Sequence, residues 1–166
     1  PRIFRQYMTE LEQKKGCRIT RYDFRDKRLG WNFPRVKVTY ADGSSRSRLL
    51  WADRFLNGYY ANRLLRPSCY RCPFARPERA GDLTLGDCWR VAASHPHYDD
   101  NKGTSLVLVS SSRGANLLEK AKASGRLIVG GYDIRLACQR NSALHSPAPW
   151  PATRQHFFDR LNRTGR

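Results

Sequence analysis

Two cysteines three positions apart are the most distinctive chemical feature of the sequence. Cys69 and Cys72 have Cys-x-x-Cys spacing, and Pro73 follows directly. Thiolates at this spacing can bind one metal ion or one iron–sulfur cluster, and a proline is common beside cluster ligands. The same spacing also occurs in structural zinc sites and in redox-active dithiols. The pair therefore predicts a metal, cluster or redox site.

The surrounding sequence argues against the zinc and dithiol alternatives. A structural zinc ion needs four ligands, and the sequence has neither a second Cys-x-x-Cys nor a spaced histidine pair. A thioredoxin-like dithiol would follow a strand, whereas this pair follows a predicted helix and lies among prolines. Cys88 is a further candidate ligand, although a single cysteine after a strand is more often a small buried apolar residue.

Other residues that could carry chemistry are weaker candidates. His95 and His97 precede Asp99 and Asp100 and could form a metal or acid–base group, but the proline and polar residues around them indicate a surface loop with a structural or incidental role. The sequence has no glycine-rich phosphate fingerprint, nucleophile elbow or His-Glu-x-x-His motif. Hydrolase chemistry therefore has no support in the sequence.

Hydrophobic periodicity places the cysteine pair after a series of regular elements. An apolar stripe predicts a helix over residues 3–15, ended by Gly16, and a strand over residues 17–24. Alternating residues on either side of Asp42-Gly43 predict a hairpin over residues 36–50. Helical spacing over residues 52–65 then predicts a helix that ends just before the cysteines.

The second half of the chain also mixes the two kinds of element. Strands are predicted at residues 82–87 and 105–109, the latter buried on both faces, and a helix at 115–123 precedes a short strand at 127–129. Three prolines within residues 146–151 predict an irregular segment before a closing helix around residues 157–161. This order predicts a single α/β domain over residues 1–166, in which one mixed sheet is flanked by helices, with a mixed α+β fold as the alternative.

Composition limits the possible classes of protein. The 166 residues carry a formal net charge of +17, so the surface attracts polyanions, and a basic nucleic-acid-binding domain is the alternative function. No apolar run reaches the ~20 residues needed to span a bilayer. The odd number of cysteines, five, indicates a reducing, cytoplasmic setting. The chain starts at Pro1 without a methionine, which suggests a piece of a longer protein whose amino-terminal part is absent.

Several linked motifs, taken in order, resemble one known family. Together they resemble the carboxy-terminal part of the coenzyme F-420 hydrogenase/dehydrogenase beta subunits, especially bacterial relatives encoded with polysaccharide-biosynthesis genes. The matching stretches are residues 22–27 with Gly30 and Trp31, residues 65–74, residues 81–87 with Trp89, residues 99–109, and Arg154 with Phe157 and Phe158.

This resemblance implies an oxidoreductase domain that transfers electrons through a 4Fe-4S cluster and a flavin, FAD. Cys69 and Cys72 match the paired cluster ligands, and the other ligands are expected upstream of Pro1. Coenzyme F-420 is a candidate substrate, and a ferredoxin-like domain or another redox protein is the expected partner. The residues expected to contact the cofactors are Arg25, Lys27, Trp31, Asp82, Asp87 and Lys102.

The basic turn and the Gly-Asp strand each have an alternative role. Arg25, Lys27 and Arg28 beside Trp31 could hold a flavin diphosphate or a polyglutamylated deazaflavin tail, or could form a solvated turn over a core tryptophan. Asp82 and Asp87 could likewise serve only turn and capping roles. Two positions depart from the family pattern, because Cys88 and Arg90 flank Trp89 where relatives have an aromatic residue and a glycine.

Overall fold

The computed structural model describes residues 2–164, and Pro1, Gly165 and Arg166 lie outside this range. The chain divides into two compact units, unit 1 (residues 1–66 and 149–166) and unit 2 (residues 67–148). The helices are α1 (Arg2–Lys15), α2 (Arg54–Tyr60), α3 (Ser112–Ala123), α4 (Ile134–Arg140) and α5 (Thr153–Thr164). The strands are β1 (Ile19–Asp26), β2 (Arg35–Tyr40), β3 (Ser45–Leu49), β4 (Leu83–Asp87) and β5 (Ser105–Val109).

Unit 1 contains a three-stranded antiparallel sheet in the order β1-β2-β3. In the central strand β2, buried and half-buried residues alternate, as the period of two in the sequence predicts for a strand with one face against a core. The predicted hairpin is therefore confirmed. Six buried residues form the core of this unit: Tyr7, Leu11, Val36, Val38, Tyr40 and Leu56.

Helix α1 contributes two of these core residues, Tyr7 and Leu11, which lie one helical turn apart on the same face. The helix ends where the sequence predicts. Gly16 adopts a left-handed φ of 69°, and its amide donates to the Glu12 carbonyl at 2.7 Å. A residue with a Cβ is strained in this conformation, so glycine suits the position.

The carboxylate of Asp53 connects α2 to α1. It is fully buried, and its Oδ1 accepts hydrogen bonds from the amides of Phe55 and Leu56 at 3.1 Å each. Its Oδ2 accepts a hydrogen bond from the Tyr7 hydroxyl at 2.7 Å. One side chain thus caps a helix and satisfies a core tyrosine, as a buried carboxylate requires.

Helix α2 is shorter than the helix predicted over residues 52–65. Asn62 takes a left-handed φ of 59°, and the Arg63 amide donates to the Gly58 carbonyl at 3.0 Å, so the chain turns back after the helix. Leu64 then packs 3.2 Å from the position that a Cβ on Gly58 would occupy. The apparent helical spacing of Leu64 therefore reflects packing across a turn.

Unit 2 contains a two-stranded antiparallel sheet in which β4 pairs with β5. One face packs on a core of Cys88, Val91, Leu106, Ala137 and Leu144. On the other face Leu85 is 72% exposed. The prediction that residues 105–109 are buried on both faces is therefore wrong, although the bounds of this strand are confirmed.

Three further differences concern the fold of the described residues. Residues 127–129 form no strand, and Ile128 is 95% exposed, because no neighbouring strand pairs with them. Helix α4 has no counterpart among the predicted elements. The predicted single mixed sheet is replaced by two separate antiparallel sheets, so the mixed α+β alternative is the fold class that is confirmed.

None of the helices in residues 2–164 is long and apolar enough to cross a membrane.

Candidate functional site

Arg25, Lys27 and Trp31 form a cation–aromatic cluster at the end of β1. The Arg25 guanidinium carbon lies 4.7 Å and the Lys27 ammonium nitrogen 4.8 Å from the centre of the Trp31 ring system. The intervening chain reverses direction at Gly30, which has a φ of 88° and donates its amide to the Lys27 carbonyl at 2.8 Å. The structure therefore brings these three predicted residues together, and Trp31 is half-buried.

Arg28, the other cation of this turn, is paired with a carboxylate. Its single Nε–H is shared between the two carboxylate oxygens of Asp26, at 3.0 and 2.9 Å, and its Nη2 lies 2.7 Å from Oδ2. Hydrogen bonding to the Arg28 side chain lowers the pKa of the buried Asp26 carboxyl despite its burial. Arg28 thus stabilises the turn through Asp26.

The cysteine pair lies on a short turn of 3₁₀ helix at the start of unit 2. Cys69 belongs to this turn, Pro67–Arg71, and Cys72 follows it. Both side chains are half-buried free thiols, and the Cys72 carbonyl accepts a hydrogen bond from the Ala75 amide at 3.3 Å. Within residues 2–164, no three His, Cys, Asp or Glu side chains gather into a group that could hold a metal ion. The pair therefore fits half of the four-thiolate set that a 4Fe-4S cluster requires.

The remaining cysteines do not adjoin this pair in a metal-binding group within the described residues. Cys88 is only 7% exposed and packs in the core of unit 2 with Val91 and Leu106. Its surroundings favour the alternative of a small buried apolar residue. Cys138 packs against the same core, whereas Cys17 packs against the core of unit 1.

Asp82 and Asp87 lie at opposite ends of β4. Five residue steps of strand separate them by about 16 Å, so one phosphate or one ring cannot contact both. The Asp82 carboxylate accepts a hydrogen bond from the Ser111 hydroxyl at 2.5 Å, and the Ser111 oxygen in turn accepts the Gly114 amide at 3.0 Å. Asp82 therefore supports the N-terminal cap of α3, as the capping alternative predicts.

Lys102 lies near the other end of the same sheet. Asp87 pairs in register with Ser105, three residues after Lys102. The Lys102 side chain is 85% exposed and its ammonium lies 3.5 Å from a carboxylate oxygen of Asp100. The backbone amide of Lys102 donates to that carboxylate and lowers the pKa of Asp100. Asp87 and Lys102 therefore belong to the same end of the β4–β5 pair, whereas Asp82 lies at the other end.

His95 belongs to a stacked polar cluster of unit 2. Its ring lies 5.9 Å from the Tyr98 ring and 5.0 Å from the Tyr132 ring, and its Nδ1 is 2.9 Å from the Ser94 hydroxyl. Arg140 donates to Ser94 and to Tyr132, each at 2.9 Å. This packing supports the structural role predicted for the histidine loop.

Sequence reasoning missed two arginines that hold loops of unit 2 together. Arg140 joins α4 to the loop after β4, where it donates to the Arg90 carbonyl at 2.7 Å. Arg79 donates to carbonyls on both sides of it, those of Phe74 and Ala143. No short motif marks either residue, because each has an acceptor far away in sequence: Arg90 is 50 positions from Arg140, and Ala143 is 64 positions from Arg79.

The family comparison covers the region that contains every predicted metal and cofactor contact. A family model for the C terminus of the beta subunit of coenzyme F-420 hydrogenase/dehydrogenase matches residues 1–134. The matched range includes Cys69, Cys72 and the whole cation–aromatic cluster. The comparisons with curated proteins and with solved structures found no match.

Proposed function

The chain belongs to the coenzyme F-420 hydrogenase/dehydrogenase beta subunit family, whose carboxy-terminal region it matches over residues 1–134, and we propose from this premise that it is an electron-transfer domain. In this proposal it helps to bind a 4Fe-4S cluster and FAD in an oxidoreductase, with coenzyme F-420 as a candidate substrate. The observation that carries the proposal is the family match, because it includes both the cysteine pair and the cation–aromatic cluster.

Cys69 and Cys72 would supply two thiolate ligands to the cluster. Both thiols are half-buried, Cys69 on the short turn and Cys72 directly after it, which limits their access to solvent without enclosing them in the core. A 4Fe-4S cluster takes four thiolates in all, so the pair would be half of the ligand set. A bound cluster supplies one-electron transfer, while the protein supplies ligation and surroundings.

Arg25, Lys27 and Trp31 would bind the anionic part of the flavin. Two cations against one indole repel each other, and a diphosphate beside them would offset that repulsion. The planar guanidinium of Arg25 can donate to two phosphate oxygens at once, and Trp31 fixes its position by stacking. Unit 1 carries most of the excess positive charge of the chain, which favours the approach of such an anion.

Asp87 and Lys102 are proposed as further cofactor contacts at the end of the β4–β5 pair. A carboxylate and an exposed ammonium there can accept from and donate to polar groups of a ligand. Asp82 has a secondary place in the proposal. Its partly exposed carboxylate supports the cap of α3 and also lines an open cleft with Arg113 and Lys120, where it would contact a ligand.

The proposed setting and partner follow from the family and from the thiols. The family name describes one subunit of a redox enzyme, so a second redox protein or a ferredoxin-like domain is the proposed partner. All five cysteines are free thiols, as expected in a reducing compartment, which supports a cytoplasmic setting.

Cysteine replacement tests the proposal in the longest native polypeptide that contains the chain. After anaerobic reconstitution with iron and sulfide, the double variant Cys69→Ser, Cys72→Ser should lose iron, acid-labile sulfide and visible absorbance. The matched control is Cys17→Ser, Cys138→Ser, which removes two half-buried thiols elsewhere and should retain all three. Equal iron contents and spectra in the two double variants would contradict the ligand assignment.

A further inference from the structure

Arg79 connects the cysteine-bearing loop to a distant segment of unit 2. One terminal nitrogen of its guanidinium donates to the Phe74 carbonyl, two residues after Cys72. The other donates to the Ala143 carbonyl at 3.1 Å, across 64 positions of sequence. Ala143 lies in the short 3₁₀ turn Ser142–Leu144, whose Leu144 is part of the core of the unit. Arg79 thus links the cysteine loop to that core through its side chain.

The third nitrogen of the Arg79 guanidinium is not satisfied within the described residues. Its Nε is buried and has no hydrogen-bond acceptor in residues 2–164. Native proteins seldom keep a buried donor without a partner, and the exceptions point to a functional group or a solvent molecule. The donor belongs to the side chain that anchors the cysteine loop, and N–H donors near cluster sulfurs are one of the means by which proteins set cluster potentials.

We propose that Arg79 is a positioning residue for Cys69 and Cys72, an inference that rests on the proposed cluster-binding function. It fixes the loop against the core through two carbonyls, and it contributes a buried N–H and a positive charge to the loop that carries the two cysteines. Arginine suits this role because its rigid fork donates in several directions at once, whereas a lysine ammonium at the same place satisfies fewer of these acceptors.

The test compares three variants of the full chain: Arg79→Gln, Arg79→Lys and the matched control Arg76→Gln. Arg76 lies three positions earlier, is exposed, and makes no hydrogen bond or ion pair in the described residues. The first measurement is hydrogen–deuterium exchange of residues 69–75 in the metal-free chain, which reports local opening of the loop. The second is the iron content and the reduction potential of the reconstituted cluster in the longest native polypeptide.

Arg79→Gln should speed exchange in residues 69–75 by about tenfold, reduce iron retention and shift the potential downward. Arg79→Lys should fall between this variant and wild type, and Arg76→Gln should match wild type. If Arg79→Gln unfolds the chain, the lysine variant decides, because it keeps the charge. If the Arg79 variants had the same exchange rates, iron content and reduction potential as wild type, the positioning role would be refuted. A wild-type protein that binds no iron would instead refute the proposed function, while faster exchange in Arg79→Gln would still assign the loop to Arg79.

Discussion

Replacing Arg25 by Ala should weaken flavin binding and leave the fold intact. The Arg25 guanidinium lies 4.7 Å from the centre of the Trp31 ring system and is half-buried. A charge-assisted hydrogen bond to a phosphate contributes about 1.5–3 kcal/mol, which corresponds to a loss of affinity of roughly 10-fold to 150-fold. The substitution also removes the cation–π interaction, which is worth only about 0.5–1 kcal/mol of stability, so circular dichroism should still show a folded chain.

The matched control for this experiment is Arg46→Ala. It removes the same charge from the same unit, but Arg46 is exposed and lies on β3, outside the turn that carries the cation–aromatic cluster. FAD titrations of the three proteins, measured by calorimetry, should show a much larger loss of affinity for Arg25→Ala than for Arg46→Ala. Equal affinity of wild type and Arg25→Ala would refute the phosphate contact. Equal losses in the two variants would show that only the overall charge matters.

Three further predictions concern stability and charge. Tyr7→Phe removes the hydroxyl that donates to the buried Asp53 carboxylate at 2.7 Å. Urea denaturation should show that the free energy of unfolding falls by about 1.5–3 kcal/mol, and an unchanged midpoint would contradict this. Burial, followed by the nearby Asp53, raises the pKa of Tyr7 and of Tyr22 above 10.0. As the pH rises, the unfolded chain therefore loses these protons before the folded chain does. The stability that the two protonated tyrosines contribute is complete below pH 10.0 and falls as the pH rises above it. Thermal melts at increasing alkaline pH should therefore show a progressive loss of stability. The charge of +17 should give DNA binding at low salt that collapses by moderate salt; sequence-selective binding at physiological ionic strength would favour the nucleic-acid alternative.

Local sequence patterns were sufficient to predict the elements whose start, end or turn is marked by residues within the element. The left-handed Gly16 ended α1, and the alternation of β2 with the Asp42-Gly43 turn defined the hairpin. The wrong predictions concern segments whose structure depends on residues far away in the sequence. Residues 127–129 have the apolar character of a strand but lack a strand to pair with, and residues 105–109 have a cover on only one face of their sheet. No pattern within such a segment reports whether a neighbour is present.

The same distinction applies to the candidate site. Arg25, Lys27 and Trp31 lie within seven consecutive positions, so one turn brings them together, and sequence alone could predict the cluster. Sequence proximity groups Asp82 with Asp87, but an extended strand separates them. The partner of Asp82 in the structure, Ser111, is 29 positions away. Arg79 escapes sequence reasoning for the same reason.

The measurement that tests the central claim most directly is the cofactor content of the protein purified anaerobically as the longest native polypeptide containing this chain. A domain that helps to bind a cluster and a flavin should yield about four iron atoms, about four acid-labile sulfides and a flavin per polypeptide. It should be free of tightly bound nucleic acid in moderate salt. A folded protein that contains neither iron nor flavin but retains nucleic acid under these conditions would contradict the account.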